Sequence, residues 1–467
     1  MGMSVRGLRI DANLAPWRWR IASIALIVFI TVCFTAPGAR ADYPGVSKQI
    51  PARTVFTADR PHDLPIDSIM IHDTEETYEG TVLAFTNPKA TAAVQYVLSG
   101  ENNSSNPAVT QFAADKDWTR SVNNWWFNQT SIGLEHIGFA VAPVGYFTQQ
   151  LYQRSADVVG WAVWKYRIPL DRAHILGHDN IPNSIDNATV QHWDPGPYWD
   201  WPYYMDLVHA AYERWSHHAP LPPAEIPARY TKLNPKIRVI SVGEEFSSAR
   251  DWFRWTTGFQ SAFANVYADH GGPMPTTLAR GASDPSTFIP STTSGGKPTY
   301  DKLDFSCDNF PEPTDRSVLS PVSASDLRAK AAWGQEFALL GRKRVRGVLY
   351  DKINFSGAVD WVRDSDTSNG WGALVRFRGG STPTTLFSGP ESPAHYPPPN
   401  NPELDTKICP DTQYGFSRSG QTYVAQMRRF SQGRMWYQID YNHRVAWVPA
   451  DEVTVSASPP RKVGGRG

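Results

Sequence analysis

Residues 67–72 read Asp-Ser-Ile-Met-Ile-His, a short apolar run that ends in a histidine. A second run, Ser-Ile-Gly-Leu-Glu-His-Ile-Gly, covers residues 131–138, and a third, Arg-Ala-His-Ile-Leu-Gly-His, covers residues 172–178. Short apolar runs of this kind are typical of buried strands. From Gln149 to Tyr166, apolar residues recur at near-helical spacing. Strands that alternate with helices predict an α/β fold, and a final helix is predicted over Tyr203–Trp215.

The ends of these strands carry residues that bind metals. His72 ends the first run, and His178 follows the third, so both are expected at one edge of the sheet. Asp194 lies in Trp-Asp-Pro-Gly-Pro, where the prolines stiffen the backbone and offer no amide donors to the carboxylate. Two imidazoles and one carboxylate, with a fourth position for water, form a common catalytic zinc shell. Spacing alone leaves an alternative open, because a single histidine is more often a surface or core residue.

Four segments in order resemble the zinc-dependent N-acetylmuramoyl-L-alanine amidases, the family that includes the peptidoglycan recognition proteins and lysozyme-like phage amidases. The matching segments are Ile69–His72, Ser131–Glu135, His174–Pro182 and Asp194–Pro197. Over residues 66–205, the resemblance implies a mixed central sheet flanked by helices. It also implies one Zn²⁺ per chain, held by His72, His178 and Asp194. The implied reaction is hydrolysis of the amide between the lactyl group of N-acetylmuramic acid and L-alanine.

The resemblance extends to residues around the metal. It implies that Glu135 takes the proton of the attacking water and returns it to the leaving amine. Tyr96 occupies the position of a family tyrosine and is either an oxyanion donor or a core residue. His192 stands where several relatives use a lysine, so it is a catalytic residue, a surface residue or a competing ligand. Trp118-Thr119-Arg120 stands where the family usually has Trp-His-Ala, and Trp118 and Arg120 are predicted substrate contacts.

The remaining departures from the family pattern, and two further histidines, are predicted to have structural and not catalytic roles. Gln95 replaces a family histidine that is not a ligand, so the change is expected to be tolerated. Residues 180–191 indicate an inserted loop between His178 and Asp194. By strand alternation His136 faces away from Glu135, so we predict a packing role or a role behind the ligands. His174 is likewise predicted to be structural.

The N-terminus is typical of an export signal. Arg18 and Arg20 precede an uncharged, mostly apolar run of 14 residues from Ile21 to Phe34, short of the roughly 20 needed to span a bilayer. Ala39-Arg40-Ala41 then supplies a small-x-small cleavage site. We therefore predict a secreted protein with no stable membrane insertion after cleavage. The alternative is an uncleaved membrane anchor.

The charge balance argues against one class of partner, and the cysteine content bears on disulfide formation. The chain has 45 basic and 45 acidic residues, and residues 1–41 hold five Arg and one Asp, so the remainder has 40 basic and 44 acidic residues. This balance argues against a nucleic-acid partner, which requires phosphate neutralisation. With Cys33 removed, Cys307 and Cys409 remain, and one disulfide is plausible in an exported protein.

The C-terminal part contains an internal repeat. Gly334–Val362 aligns without gaps on Gly420–Val448 at an offset of 86 residues, with eight of 29 positions identical. Both copies end in Trp-Val after short alternating runs, which indicates two small SH3-like β-barrels, or alternatively one irregular β domain. A Pro-rich stretch over residues 217–223 indicates a linker. The predicted division is signal peptide 1–41, amidase domain 42–216, linker and unassigned segment 217–269, β modules 270–367 and 378–456, and disordered tail 457–467.

These observations predict a secreted bacterial zinc amidase that cleaves peptidoglycan and is held on the cell wall by its SH3-like modules. Trp436 and Tyr437 are candidate wall contacts, with ordinary β-domain core as the alternative. One rival is a recognition protein that binds peptidoglycan without turnover. Another is a zinc peptidase acting on stem peptides. The presence of all three candidate ligands and Glu135 favours the amidase.

Overall fold

The structure is a computed structural model that describes two parts of the chain, here called the α/β unit (residues 43–216) and the β region (residues 229–457). The described residues are 41–53, 55–56, 65–90, 92–122, 124–140, 146–182, 192, 194–196, 199–222, 229–233, 263–268, 330–378, 380, 383–390, 413–431 and 433–457. Residues 1–40 of the predicted signal peptide, Cys307 and Cys409 lie outside them. Within them, no helix has the length and apolar character needed to cross a membrane.

The α/β unit is built on a mixed sheet, as predicted. Its helices are α1 (Tyr78–Thr86), α2 (Trp125–Thr130), α3 (Gln149–Tyr166) and α4 (Trp201–Ser216). Its strands are β1 (Lys48–Gln49), β2 (Val55–Phe56), β3 (Ser68–Asp73), β4 (Tyr96–Leu98), β5 (Val109–Gln111), β6 (Trp118–Thr119), β7 (Ser131–His136) and β8 (Ile175–Gly177). Six strands form the sheet in the order β1-β5-β4-β7-β3-β8, whereas β2 pairs with β6. The β4–β5 pair is antiparallel, and the other pairs of the sheet are parallel.

Helix α3 has the limits that the apolar spacing predicts. The Thr148 side chain accepts a hydrogen bond from the Leu151 amide and caps the N-terminus, and Arg167 ends the helix in the left-handed conformation. Its buried stripe, which includes Val158 and Val159, packs against the sheet together with α4. Alternation along β3 sends Ile69 and Ile71 into this core. Met70 and His72 consequently face the opposite side of the sheet.

The β region contains fourteen strands among its described residues. The first seven are β9 (Arg229–Leu233), β10 (Phe263–Ala268), β11 (Lys330–Ala332), β12 (Gly341–Val345), β13 (Val348–Phe355), β14 (Ala358–Arg363) and β15 (Thr367–Trp371). The last seven are β16 (Ala373–Phe377), β17 (Thr384–Phe387), β18 (Gln413–Ser417), β19 (Thr422–Ser431), β20 (Arg434–Asp440), β21 (Val445–Pro449) and β22 (Val453–Ala457). Strands β9 and β10 lie within the stretch 217–269 that the sequence leaves as linker and unassigned segment.

The internal repeat of the sequence is visible as a repeat of strand order. The first sheet runs β12-β13-β14-β10-β11, and the second contains β19-β20-β21-β17-β18, with β16 and β22 added beside β19. Gly347 and Gly433, 86 residues apart, both turn a hairpin with positive φ, of 86° and 75°. Strand β15 pairs with β9 as β22 pairs with β16, so the repeat extends beyond the aligned residues. The assignment of each copy to an SH3-type barrel stays a prediction.

The β region packs directly on the α/β unit. Trp126 of α2 meets Trp447 of β21 edge to face, with ring centroids 5.8 Å apart. One apolar cluster contains residues of both parts: Met70, Val122, Trp126, Phe127, Leu176 and Ile181 with Met427, Trp436, Val445 and Trp447. Arg429 of β19 forms an ion pair of 2.7 Å with Asp67. The two parts thus belong to one compact body, and Trp436 is buried in their interface, which supports packing rather than wall contact.

Candidate metal centre

The parallel pairing of β3 with β8 brings the two candidate histidine ligands together. Ile71 lies opposite Gly177 in this pair, so the residues that follow, His72 and His178, come side by side at the carboxyl edge of the sheet. Asp194 reaches the same point from a loop in which its bond to Pro195 is cis. The backbone N–H of Asp179 donates to the carbonyl of Asp194 at 2.8 Å and fixes that loop.

The three side chains converge at distances that suit zinc. His72 Nδ1 lies 3.1 Å from His178 Nδ1 and 3.1 Å from Asp194 Oδ2, and His178 Nδ1 lies 3.1 Å from Asp194 Oδ1. Two nitrogen ligands at about 2.0 Å from a zinc ion lie about 3.3 Å apart in a tetrahedral shell. All three ligand atoms lie within 4.8 Å of one another, and all three residues are buried. The donor set and its spacing therefore fit a zinc ion.

The electrostatics of the cluster favour the forms that bind metals. Burial lowers the pKa of His178 to about 3, so the ring is neutral and keeps a lone pair for a cation. Burial alone would raise the pKa of Asp194, but the neighbouring His178 and hydrogen bonds from the surrounding histidines hold it well below its usual range. A neutral imidazole beside an ionised carboxylate is the state that metal binding requires.

Gly177 is required by the close packing behind this cluster. A Cβ atom at this position would collide with Asp179 Oδ1 and lie 2.9 Å from Pro195 Cδ. Any larger residue would separate the strand end that precedes His178 from the loop that carries Asp194. The glycine before the second ligand therefore permits the two segments to meet.

Glu135 lies beside the metal ligands on the neighbouring strand. It stands opposite His72 in the register of β3 and β7, so the two side chains share one face of the sheet. Among the described residues, its Oε2 atom is buried with no hydrogen-bond partner. Burial, followed by the charges of Asp194 and Glu75, raises the pKa of Glu135 well above its ordinary value. A buried carboxylate with a raised pKa is suited to accept and return a proton.

Two further acidic residues at the site are ones that the sequence analysis missed. Asp73 follows His72, and burial and the charges of Glu75, Asp194 and Glu135 raise its pKa. Glu75 adopts a positive φ of 45°, and burial raises its pKa to about 7. Its Oε1 accepts a hydrogen bond from the Ala140 amide at 3.1 Å. The acidic run Asp73-Thr74-Glu75-Glu76 directly after His72 is the signal that could have identified them.

His136 supports the first ligand from behind, in agreement with its predicted role. Its Nδ1 donates to the carbonyl of His72 at 2.6 Å, and its Nε2 accepts from the Ser155 hydroxyl at 2.6 Å. Burial lowers the pKa of His136 to about 3, so the ring is neutral. His174 instead contacts Asp171 at 2.7 Å and is structural, as predicted.

Part of the chain is similar to known proteins. Residues 62–197 match the Amidase_2 family, described as N-acetylmuramoyl-L-alanine amidase. These residues form an amidase-family domain. N-acetylmuramoyl-L-alanine amidase A of Achromobacter lyticus is 23% identical over 159 residues, which cover 30% of this chain and 82% of that protein.

This chain is also similar to two solved structures, and each alignment covers most of the solved chain. The hydrolase AmiA of Staphylococcus aureus in complex with its ligand has 16% identity and a TM-score of 0.28, covering 39% of this chain and 89% of that one. The PlyG catalytic domain has 14% identity and a TM-score of 0.25, covering 35% of this chain and 94% of that one.

The amidase domain brings His192 to the metal centre. Its ring stacks on that of His178, with centroids 4.4 Å apart and an interplanar angle of 15°. Its Nδ1 lies 3.6 Å from Asp194 Oδ1, and 40% of its side chain is exposed. This position is compatible with the catalytic role and with the role of a competing ligand.

The amidase domain places Tyr96 on the opposite side of the sheet from the ligands. Tyr96 pairs in register with Leu134 and joins the core beneath α3. Its hydroxyl donates to Asp115 Oδ1 at 2.7 Å. The geometry therefore favours the packing alternative, and the oxyanion role stays a prediction.

The two predicted substrate contacts differ in their exposure. Trp118 is buried, and its ring meets that of Trp125 edge to face at 5.7 Å. Arg120 is half-buried, and burial lowers its pKa. Gln95, at the departure from the family pattern, is buried and accepts from the Gly133 amide at 2.8 Å, so it serves the sheet. Contact of Trp118 and Arg120 with substrate stays a prediction.

Proposed function

We propose that this protein is a zinc-dependent N-acetylmuramoyl-L-alanine amidase that cleaves peptidoglycan between the lactyl group and L-alanine. The convergence of His72, His178 and Asp194 within 4.8 Å, inside a segment that matches the amidase family, carries the proposal. The export signal in the sequence supports a secreted enzyme that acts on the cell wall. The recognition alternative has no specific support, because the ligand set and Glu135 are complete.

Each residue of the site has a separate role in amide hydrolysis. His72, His178 and Asp194 would hold the zinc ion, which when bound would supply Lewis-acid polarisation of the carbonyl oxygen and a lowered pKa of water. Glu135 takes the proton of the attacking water and passes it to the nitrogen of the leaving L-alanine, which then departs as an amine. His192 donates a hydrogen bond from its ring to the oxyanion that forms at the carbonyl. His136 holds the backbone of His72 in place.

Metal analysis joined to digestion of purified cell wall tests this function. We expect about one zinc per chain and, by mass spectrometry, intact glycan strands with free stem peptides that begin at L-alanine. Binding of muropeptides without release of the amine, with zinc present, would identify a recognition protein. Cleavage within stem peptides would identify a peptidase instead.

Replacing Glu135 by glutamine is expected to keep zinc bound and to lower turnover by roughly 100-fold or more, because the amide cannot accept a proton. The pH–rate profile provides a second measurement. The raised pKa of Glu135 means that the wild-type rate falls, as the pH decreases, at a higher pH than for an ordinary glutamate. The variant should lack this fall.

Glu79→Gln is the matched control, because Glu79 lies exposed in the first turn of α1. Its rate and pH profile should equal those of the wild type. Near-normal turnover of Glu135→Gln would remove Glu135 from the mechanism while leaving the zinc site intact.

A further inference from the structure

Arg444 of the β region contacts the two segments that carry His178 and Asp194. Its Nη1 donates to the carbonyls of Asp179, next to His178, and of Ile181, the latter at 3.1 Å. Its Nη2 donates to the carbonyl of His192 at 3.0 Å, two residues before Asp194. The rigid fork of a guanidinium suits this task, because it presents several donors in fixed directions. Arg444 thus bridges the two ligand segments from outside the amidase domain.

Asp179 links this bridge to the metal ligands. Its amide donates to the carbonyl of Asp194, while its own carbonyl accepts from Arg444. Its Oδ2 lies 3.0 Å from His443 Nε2, at the distance of a hydrogen bond in which the ring N–H donates. The Asp179 side chain is fully buried. A displacement of Arg444 would therefore be transmitted to Asp194 through Asp179 alone.

The two repeats differ at the turn that makes these contacts. The second repeat has Asn442-His443-Arg444 where the first, 86 residues earlier, has Ser356-Gly357-Ala358. The His443 carbonyl accepts from the Asn180 side chain at 3.1 Å. The first repeat has neither the ring nor the guanidinium at this turn. Contact with the ligand loop thus accounts for the long polar side chains of the second copy.

We infer that Arg444 is a positioning residue of the metal centre, and that the second repeat completes the zinc site of the amidase domain. This role rests on the proposed zinc-dependent function. As a positioning residue, Arg444 does not act on the substrate or on the metal directly. It acts by holding the backbone on both sides of the ligand cluster. The β region is then part of the catalytic structure in addition to any role on the cell wall.

Zinc affinity of the full-length Arg444→Met protein tests the inference. Methionine keeps an apolar stem and removes every donor, so we expect zinc affinity, measured by chelator competition, to fall by about tenfold or more. The visible spectrum of the Co²⁺-substituted protein should also change, because the ligand geometry loosens. Arg434→Met is the control: Arg434 forms an exposed ion pair with Asp451 in the same repeat, and its loss should alter neither measurement.

Arg444→Lys decides the matter if the methionine variant does not fold. Lysine keeps the charge but lacks the fork, so we expect a folded protein with zinc affinity lowered by at least about threefold. Folded variants with the wild-type affinity and Co²⁺ spectrum would overturn the inference. A wild-type protein that binds no zinc would instead overturn the proposed function, so the two failures are distinguishable.

Discussion

Alanine at position 178 is expected to abolish both zinc binding and turnover. His178 supplies one of the three proposed ligand atoms, and His72 and Asp194 alone would leave the ion with only two protein ligands. The Nδ1 atom of His178 also lies 3.1 Å from Asp194 Oδ1, so its loss removes a contact that holds a second ligand in place. We expect zinc affinity to fall by more than about 100-fold, the upper end of what loss of an outer-shell partner costs.

Metal stoichiometry and thermal unfolding measure this effect without reference to activity. Added zinc should raise the melting temperature of the wild type, because it binds the folded state, and should leave that of His178→Ala unchanged. His209→Ala is the matched control, since His209 lies exposed on α4 with its Nδ1 atom 3.4 Å from Glu213 Oε1. Stoichiometric zinc retained by His178→Ala would refute the ligand assignment and, with it, the hydrolase proposal.

The ligand cluster and the elements that carry it could be predicted because the signals are local. The apolar spacing of α3 predicts its limits, Gln149–Tyr166, and six consecutive residues, 67–72, predict the strand that carries His72. The family motifs then order these pieces along the chain. What they could not supply is the side of the sheet that Tyr96 faces, because its register with Leu134 depends on pairing between distant strands.

The packing of the β region on the α/β unit could not be predicted from local sequence patterns. Trp436 and Trp447 are aromatic residues on short strands, and such residues have the same sequence pattern in a barrel core, on a ligand surface or at a domain interface. Arg444 is 265 residues from Asp179, so no spacing rule connects them. Strand β10 was missed because it pairs with β11 and β14, which lie far along the chain. The packing of the two tryptophans, the contact of Arg444 with Asp179 and the pairing of β10 all depend on residues that are far apart in the sequence.

A chain that ends at residue 222 is expected to lose the stable fold of the amidase domain. It would expose the apolar face of Met70, Trp126 and Leu176, all of which are buried in the interface. Full burial of a large apolar side chain contributes roughly 1.5–3 kcal/mol, so losing a few such residues removes much of the about 5–15 kcal/mol that stabilises a domain. Asp67 would also lose Arg429, and the ligand loop would lose Arg444.

This truncation separates a tethering role of the β region from a structural one. A tether affects activity on intact wall and spares activity on a soluble muropeptide, whereas loss of packing affects both equally. We expect the second result, with early thermal unfolding and binding of a hydrophobic dye. A chain that ends at residue 457 is the control, since it retains every described strand. A folded, zinc-binding fragment ending at residue 222, impaired only on intact wall, would show that the contacts of Trp447 and Arg444 are dispensable.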